Sequence, residues 1–553
     1  MTPEPHNVAR FLRRHAAERP DQPAMHFPRA DWRPDRPVWD TMTFAELDRA
    51  SDALAHGLRA EGVRRGDRTV VLIRPSLEFY ALFFALFKLG AVPVVLDPGM
   101  GLQALLRCIA RTRPRVLVGA PAVHGARLLR PGPFSSVELA FTSGGWWPFV
   151  RQLASVRRDE GPFPLEPLGP DDDAAILFTS GSTGPAKGVT STQAMFAAQV
   201  EALSAMLGFQ PGWTDAQAFA AFAVFDLCMG LTSAIHPMDL SRPGAADPAR
   251  LAATFRAFEP EVAFASPIVW QRASRWAEER GERFPSVRAA ITVGAPIPPG
   301  LLRRCLAMFG PEARMLTPYG ATEGLPVTYV DSDEILGDAW ERTARGEGVC
   351  VGRPAPGADV SIVALTEAPI PTWSDDLALP PGTLGEVVIG GPQVSPEYKD
   401  APEANALSKI RRGDRVLHRT GDLGVIDERG RLWFHGRKAH RLETPDGVLP
   451  SVPLEAVYDE HPDVFRTALV GVGPRGREIP VLCVEMEPGR RFGPDTEAEL
   501  RALERGTPWE GRVRRFLPHP GLPTDARHNS KIRREDLVPW VERRCRDLLR
   551  ELA

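Results

Sequence analysis

The segment AAILFTSGSTGPAKGV, residues 174–189, contains residue types that suit the binding of phosphate. An apolar run predicted to be a strand, Ala174–Phe178, precedes a loop of glycines and hydroxyl side chains, and a helical pattern begins near Ser191. Glycines let backbone N–H groups close on phosphate oxygens, hydroxyls add donors, and a lysine adds a compact charge. A flexible Gly/Ser linker rarely lies between a buried strand and a helix. We therefore interpret the segment as a polyphosphate-binding loop with the candidate ligands Thr179, Ser180, Gly181, Ser182, Thr183, Gly184 and Lys187.

The loop is not a Walker A motif, because Ala186 precedes Lys187 and Gly188 follows it, where that motif ends in Gly-Lys-Ser/Thr. Lysine is scarce in the chain, with six lysines among 67 basic residues. Where lysine is kept, we expect a compact ammonium group to be required. The lysines are Lys88, Lys187, Lys399, Lys409, Lys438 and Lys531.

Alternating helical and strand-like patterns must position these residues. An amphipathic stretch at 42–63, a buried strand at 67–73, a buried helix at 76–90 and a strand at 91–97 are typical of helix-covered parallel sheets. After residue 436 the pattern changes to short strands and helices. The sequence predicts an α/β protein with a large domain, 1–436, of mostly parallel sheets and a small C-terminal α+β domain, 437–553.

Composition excludes several classes of function. A net charge of −3 gives no whole-chain electrostatic case for nucleic acid. The six cysteines form no CxxC pair, which argues against a zinc site or a disulfide framework and favours a reducing cytoplasm. The two most apolar stretches are interrupted by Lys88 and Asp226, so we expect buried core rather than a transmembrane segment, and the N-terminal residues show no secretory signal.

An ordered series of motifs across nearly the whole chain resembles the adenylate-forming superfamily of acyl-CoA synthetases, adenylation domains and luciferases. The resemblance implies a large domain that includes a small β-barrel-like part, a small mobile C-terminal domain, and the use of ATP and Mg²⁺. The motifs are the phosphate loop, GAPIPPG (Gly294–Gly300), YGATE (Tyr319–Glu323), GEVVIGG (Gly385–Gly391), RTGDLG (Arg419–Gly424), GRLWFHGRK and HNSKIRRE.

The resemblance also implies a role for single residues. Tyr319 would stack on adenine, and Asp422 would accept both ribose hydroxyls. Glu323 would bind Mg²⁺, and Lys531 would be the mobile catalytic lysine. The other residues implied at the nucleotide are Gly294, Ala295 and Pro296 beside adenine, Gly320 and Ala321 beside Tyr319, Thr322 at the α-phosphate, and Arg437 at the ribose and phosphate.

Within the superfamily, the ending PTDARHNSKIRRE most resembles the OleC-type β-lactone synthetases of bacterial long-chain olefin biosynthesis. This implies ATP-dependent activation of a 2-alkyl-3-hydroxyalkanoic acid as acyl-AMP, followed by closure to a β-lactone with release of AMP and pyrophosphate. It also implies other enzymes of that pathway as partners. His528, three residues before Lys531, is a candidate to accept the hydroxyl proton; the alternative is a hydrogen bond within its own loop.

Departures from the CoA-ligase pattern favour this interpretation. Ala439 stands two residues after Arg437, where CoA ligases usually have Asp or Lys, and RLETPDGVLPS replaces a segment that often contains Gly-Gly. Asp226 lies where many acyl-CoA ligases have His, and a buried carboxylate there should have a partner or a raised pKa. The candidate substrate-binding residues are Phe222, Phe225, Asp226 and Met229, although the apolar ones are more typical of core.

Four alternatives stay open at this point. The nearest are an ordinary acyl-CoA ligase and a fatty acyl-AMP ligase that serves a carrier protein. A nucleotide-binding pseudoenzyme used as a scaffold belongs to another class, but retention of Glu323, Asp422 and Lys531 argues against it. A luciferase-like oxygenase is compatible with the same scaffold, since fold does not determine function.

Overall fold

Two large sheets carry the architecture of the protein, whose computed structural model describes residues 6–179, 186–240, 242–524 and 532–552. In the first half of the chain the strands are β1 (Pro23–Pro28), β2 (Trp39–Thr43), β3 (Arg68–Leu72), β4 (Val92–Leu96), β5 (Val116–Gly119), β6 (Leu139–Thr142), β7 (Arg151–Gln152), β8 (Asp173–Thr179), β9 (Lys187–Thr192), β10 (Thr214–Gln217), β11 (Thr232–Ile235) and β12 (Val262–Ala265). In the second half they are β13 (Ala289–Thr292), β14 (Arg314–Ala321), β15 (Gly324–Asp331), β16 (Val349–Pro354), β17 (Asp359–Val363), β18 (Gly385–Gly390), β19 (Lys409–Arg412), β20 (Arg415–Ile426), β21 (Leu432–Arg437), β22 (Leu442–Thr444), β23 (Gly447–Leu449), β24 (Val464–Val472), β25 (Ile479–Met486) and β26 (Arg515–Pro518).

Helices cover the sheets and connect their parallel strands. They are α1 (Ala9–Glu18), α2 (Phe44–Ala60), α3 (Leu77–Leu89), α4 (Leu102–Thr112), α5 (Pro121–Leu129), α6 (Gln193–Leu207), α7 (Ala223–Met229), α8 (Pro248–Phe258), α9 (Pro267–Arg280), α10 (Pro299–Phe309), α11 (Ser332–Glu334), α12 (Trp340–Ala344), α13 (Pro402–Ser408), α14 (Ser451–Asp459), α15 (Pro494–Leu503), α16 (Arg534–Arg544) and α17 (Arg546–Leu552).

The smaller of the two large sheets confirms the predicted alternation of strands and helices. Its order is β7-β6-β5-β3-β4-β8-β9, and its neighbours are parallel except for the pair β8 and β9. Helix α2 begins at a capping box, in which the Thr43 side chain accepts from the Glu46 N–H and the Glu46 carboxylate accepts from the Thr43 N–H. Helix α3 ends at Gly90, which adopts the left-handed conformation (φ 65°) that closes a helix C-terminus.

One element after the phosphate loop differs from the prediction. The chain does not pass directly from loop to helix, because strand β9 intervenes and pairs antiparallel with β8, with Thr179 opposite Lys187. The segment KGVTST contains three β-branched residues and is buried from Gly188 onward, which favours a strand. Helix α6 then begins at Gln193, where the Thr192 hydroxyl accepts from the Met195 N–H. The strands that flank the predicted phosphate loop therefore pair with each other.

The larger sheet joins a parallel half to an antiparallel half. Its order is β17-β18-β20-β21-β16-β15-β14-β13-β12-β10-β11-β1-β2, with β19 paired to β20. Strands β10 to β14 run parallel, whereas β14 to β21 pair antiparallel and correspond to the predicted barrel-like part. The α/β fold class predicted from the sequence is thereby confirmed.

The residues after Arg437 build hydrophobic clusters of their own. Strands β24, β25 and β26 form a sheet, and apolar residues between Leu442 and Leu549 pack on its two faces with α14 to α17. This separate core supports a C-terminal unit, and the division at residue 436/437 stays a prediction. The six cysteines are buried free thiols, as expected, and none of the helices in the described ranges is long and apolar enough to cross a membrane.

A buried ion network fastens the first three helices together. Lys88 of α3 is fully buried, and its ammonium lies 2.6 Å from Asp48 Oδ1 and 2.6 Å from Asp52 Oδ1, both on α2. Arg13 of α1 contacts the same two carboxylates at 2.9 and 2.7 Å. Burial lowers the pKa of Lys88, and the two carboxylates oppose that shift. The lysine that interrupts the apolar stretch is thus a structural cation.

Replacing Lys88 with methionine should destabilise the protein strongly. The Lys88→Met change keeps the length of the side chain but leaves two buried carboxylates with one cation between them, which should cost about 3–5 kcal/mol of the free energy of unfolding. Urea unfolding followed by circular dichroism measures this. The control is Arg151→Met at an exposed ion pair with Glu61, which should cost less than about 1 kcal/mol. Equal effects of the two substitutions would contradict the network.

Candidate active site

Tyr319, Asp422 and Arg437 converge where the two halves of the larger sheet meet. The Tyr319 hydroxyl donates to Asp422 Oδ2 at 2.5 Å, and Arg437 Nη1 lies 2.9 Å from Asp422 Oδ1. Asp422 and Arg437 are direct partners in the register of β20 and β21. The negative charge of Asp422 raises the pKa of Arg437, and burial raises the pKa of Tyr319. The sequence-predicted adenine and ribose residues are thus in contact, with an acceptor suited to a vicinal diol.

Thr322 and Glu323 lie in the tight turn between β14 and β15, where Ala321 pairs with Gly324. Gly320 is required here, because a Cβ atom would lie 2.8 Å from the Gly324 carbonyl oxygen. The Glu323 carboxylate accepts a hydrogen bond of 2.6 Å from the Tyr398 hydroxyl. The Glu323 carbonyl accepts from the Ser395 N–H at 2.7 Å, so both the backbone and the side chain of Glu323 are held.

The GAPIPPG motif forms the loop between β13 and α10. Gly294 has a φ of 100°, a conformation that favours glycine, and Ala295 and Pro296 follow it on the surface side of the loop. Because β13 and β14 are parallel, this loop and Tyr319 lie at the same edge of the sheet. That edge, at the carboxyl ends of parallel strands, is where open α/β sheets bind ligands.

Among the candidate ligands of the phosphate loop, Lys187 is the one whose side chain the structure describes. It opens β9, and its ammonium lies 4.8 Å from the centroid of the Tyr398 ring. Tyr398 therefore links the lysine predicted to bind phosphate with the carboxylate predicted to bind metal. The side chain of Thr179 and the predicted residues Ser180, Gly181, Ser182, Thr183, Gly184, His528 and Lys531 lie outside the described residues.

Glu323 suits a magnesium ion that is shared with the phosphates of a nucleotide. Mg²⁺ usually binds through one or two carboxylates together with substrate phosphates and water. Within the described ranges, no group of three His, Cys, Asp or Glu side chains could hold a metal ion. A single carboxylate fixed by Tyr398 fits the shared arrangement rather than an all-protein cage.

Sequence reasoning did not identify Tyr398 or Lys409 as site residues. Lys409, at the start of β19, has its ammonium 5.2 Å from the centroid of the Tyr398 ring. The sequence signal that could have found them is the rarity of both residue types, since the chain has five tyrosines and six lysines. No sequence spacing shows that β19, β9 and the 391–401 segment meet at one ring.

Asp226 is paired with a second buried carboxyl group that the sequence did not reveal. The Gln217 side-chain amide donates at 3.2 Å to both Asp215 Oδ2 and Asp226 Oδ2, and the Ser233 hydroxyl donates to Asp226 Oδ2 at 2.9 Å. Burial raises the pKa of Asp226 to about 6 and the pKa of Asp215 well above its ordinary value. The expectation of partners and a raised pKa is confirmed.

The aromatic candidates Phe222 and Phe225 lie at the start of α7, the helix that also carries Asp226. Phe225 stacks on Phe196 with ring centroids 4.7 Å apart, and Phe222 stacks on Phe264 at 4.5 Å. Phe222 and Phe225 are partly exposed, whereas Met229 is buried in the main hydrophobic core. Partial exposure suits Phe222 and Phe225 to an apolar ligand, and their contact with substrate stays a prediction.

Known proteins resemble this chain along most of its length. The family described as AMP-binding enzyme matches residues 12–399. The chain is 42% identical over 547 residues to the olefin beta-lactone synthetase of Xanthomonas campestris pv. campestris, covering 97% of each chain. It is 41% identical over 549 residues to the olefin beta-lactone synthetase of Stenotrophomonas maltophilia, covering 97% of this chain and 98% of the relative.

Solved structures share the fold at lower identity. The amide bond synthetase McbA from Marinactinospora thermotolerans superposes with a TM-score of 0.77 at 24% identity, covering 96% of this chain and 99% of that one. The o-succinylbenzoate coenzyme A synthetase of Bacillus subtilis, in complex with ATP and magnesium ion, gives a TM-score of 0.74 at 20% identity, covering 97% and 99%. At these identities the likeness shows the fold alone.

The buried pair Asp215 and Asp226 should lower stability at high pH. Folding raises the pKa of Asp226 to about 6 and the pKa of Asp215 well above its ordinary value, so the cost of each carboxyl appears as the pH rises from the unfolded value of about 3.9 towards its folded pKa. Asp215→Asn removes one ionisable group and should raise the free energy of unfolding at pH 8 by about 1–3 kcal/mol, with the gain shrinking towards pH 4.

Urea unfolding of wild type and variant across this pH range measures the difference. Asp446→Asn, at an exposed carboxyl in a hairpin turn, is the matched control and should show no such trend. A variant that is less stable than wild type at pH 8 would contradict the pairing.

Proposed function

The chain belongs to the AMP-binding enzyme family, and we propose that it activates a 2-alkyl-3-hydroxyalkanoic acid with ATP and closes the acyl-AMP to a β-lactone. In the first step a carboxylate oxygen attacks the α-phosphorus and pyrophosphate leaves. In the second step the β-hydroxyl oxygen attacks the acyl carbon and AMP leaves. The observation that carries the proposal is 42% identity with an olefin beta-lactone synthetase across 97% of both chains.

The nucleotide half of the site rests on the residues that meet Asp422. We assign the ribose hydroxyls to Asp422, which Arg437 and Tyr319 hold in place. The face of the Tyr319 ring is assigned to adenine, with the loop Gly294–Pro296 beside it at the same sheet edge. In the structure the Asp422 carboxylate accepts from the Tyr319 hydroxyl. When ATP binds, the ribose hydroxyls provide donors to that carboxylate.

Adenylation needs positive charge where negative charge develops. Attack on the α-phosphorus places charge on its oxygens, and positioned cations and donors stabilise that transition state. Thr322 is assigned to the α-phosphate and Lys187 to the polyphosphate, and Lys531 of the predicted C-terminal domain is assigned to the charge that develops at the α-phosphate. A magnesium ion bound through Glu323 would neutralise phosphate charge.

Ring closure requires no second substrate site. The nucleophile belongs to the same molecule as the activated carboxyl group, so holding the chain bent gains much of the effective molarity of an intramolecular reaction. A base must accept the hydroxyl proton within hydrogen-bond reach, and His528 is assigned this role because it lies on the segment that carries Lys531. Phe222 and Phe225 are assigned to the alkyl chains of the acid.

The segment RLETPDGVLPS, residues 441–451, supports a reaction without CoA. The segment that often contains Gly-Gly in CoA ligases forms a tight hairpin here, in which β22 and β23 pair across Pro445 and Asp446. The backbone of this hairpin is held by the pairing of β22 with β23, in which Thr444 lies opposite Gly447. Buried free thiols fit a reducing cytoplasm, and enzymes of the same olefin pathway are the proposed partners.

The product formed without CoA tests the proposal directly. Wild-type protein supplied with a 2-alkyl-3-hydroxy acid, ATP and Mg²⁺ should yield a β-lactone, AMP and pyrophosphate at a rate that added CoA does not change. Mass spectrometry of the organic extract and a pyrophosphate assay measure these products. Acceleration by CoA with formation of a thioester would identify a CoA ligase, and no pyrophosphate exchange at all would identify a pseudoenzyme.

Two substitutions in the C-terminal segment should stop the reaction at different steps. Lys531→Ala should reduce acyl-AMP formation by roughly 10²–10³-fold while ATP still binds, because one cation is lost from the transition state. His528→Ala should still release pyrophosphate but accumulate acyl-AMP. Quantifying acyl-AMP and lactone in quenched reactions separates the two. Near-normal pyrophosphate exchange in Lys531→Ala would remove that assignment, and normal lactone release in His528→Ala would remove the other.

A further inference from the structure

Lys409 and Lys187 place two ammonium groups against a single aromatic ring. Their Nζ atoms lie 5.2 and 4.8 Å from the centroid of the Tyr398 ring, and the hydroxyl of that ring donates to Glu323. A cation over an aromatic face is attracted by the ring quadrupole. When both amines are protonated they repel each other, so an anion between or beside them would favour the doubly charged form.

The Lys409 ammonium is poorly neutralised by the protein. In the described part of the chain it donates one hydrogen bond, to the Ser395 carbonyl at 2.7 Å, and lies within 4 Å of no carboxylate oxygen. An ammonium group has three donors, so two remain for a ligand. Lys399 nearby is the opposite case, with its ammonium 3.0 Å from Asp173 and 3.3 Å from Glu397.

We propose that Lys409 is a second polyphosphate-binding lysine, which together with Lys187 holds the β- and γ-phosphates of ATP next to Glu323. The inference rests on the proposed function, since it takes the nucleotide site as given. Strand pairing supports it, because Lys409 begins β19 directly opposite His418 in β20, the strand that also carries Asp422. Strand β20 therefore carries both Asp422, the proposed ribose acceptor, and His418, the strand neighbour of Lys409.

The charges around Lys409 give the proposal a measurable consequence. Burial lowers the pKa of Lys409 to about 7, with Glu323 and Glu397 opposing the shift and Lys187 adding to it. His418, across the strand pair, has a pKa lowered well below its ordinary value by burial, and the pKa of Arg437 is raised by Asp422. The Lys409 amine is thus mostly neutral at pH 8, and binding a polyphosphate should restore its proton.

The test is calorimetric titration of the full-length protein with MgATP and with AMP at pH 8, in two buffers of different ionisation enthalpy. Wild type should take up close to one proton with MgATP and little with AMP, which lacks the outer phosphates. Lys409→Met should weaken MgATP binding roughly ten- to a hundredfold, the range expected for lost hydrogen bonds to a charged group. AMP binding should change by less than about threefold.

Two further variants separate the phosphate role from a structural one. Lys409→Arg keeps the charge without titrating, so it should retain MgATP affinity within about fivefold and abolish the proton uptake. Lys399→Met, at the neutralised lysine, should change neither affinity nor proton uptake.

Equal loss of MgATP and AMP affinity in Lys409→Met, or no loss, would overturn the inference while the proposed function stands. The same holds if Lys409→Arg takes up the proton as wild type does. Failure of wild type to bind MgATP would overturn both proposals.

Discussion

The antiparallel pairing of strand β20 with strand β21 is the interaction on which the site depends. It sets Asp422 opposite Arg437, and the sheet continues through β16 and β15 to β14, whose Tyr319 donates to Asp422. The first residues of β20 pair with β19, which brings in Lys409, while the opposite edge of β20 pairs with β18. Because a shift of one residue would turn every side chain to the opposite face, this register decides whether the nucleotide residues meet.

The few lysines of the chain show how burial and pairing decide what a charge does. Lys88 is enclosed by two carboxylates and holds helices together, and Lys438 and Lys399 are likewise paired with carboxylates. Lys187 and Lys409 instead lie against the Tyr398 ring. Scarcity of lysine therefore marks positions where a compact ammonium is needed, and the local carboxylates separate a structural charge from one that remains available to a ligand.

Local patterns predicted much of the fold, and non-local contacts account for what they missed. The capped helix α2, the buried helix α3 and the parallel strands around them follow from periodicity, and the motif order located Tyr319, Glu323 and Asp422. Strand β9 was missed because its pairing with β8 closes across the phosphate loop. Asp215 and Tyr398 were missed because their partners lie on other elements, and no spacing in the sequence encodes that proximity.

The central claim is that the carboxyl group, rather than the β-hydroxyl group, is activated by ATP before the ring closes. A 3-hydroxy acid labelled with ¹⁸O in both carboxyl oxygens distinguishes the two orders of bond making, with mass spectrometry of the lactone and of AMP as the readout. Activation of the carboxyl group predicts one ¹⁸O atom in AMP and one in the lactone carbonyl, because the ring oxygen comes from the unlabelled hydroxyl. A lactone that keeps both ¹⁸O atoms, together with unlabelled AMP, would contradict the account.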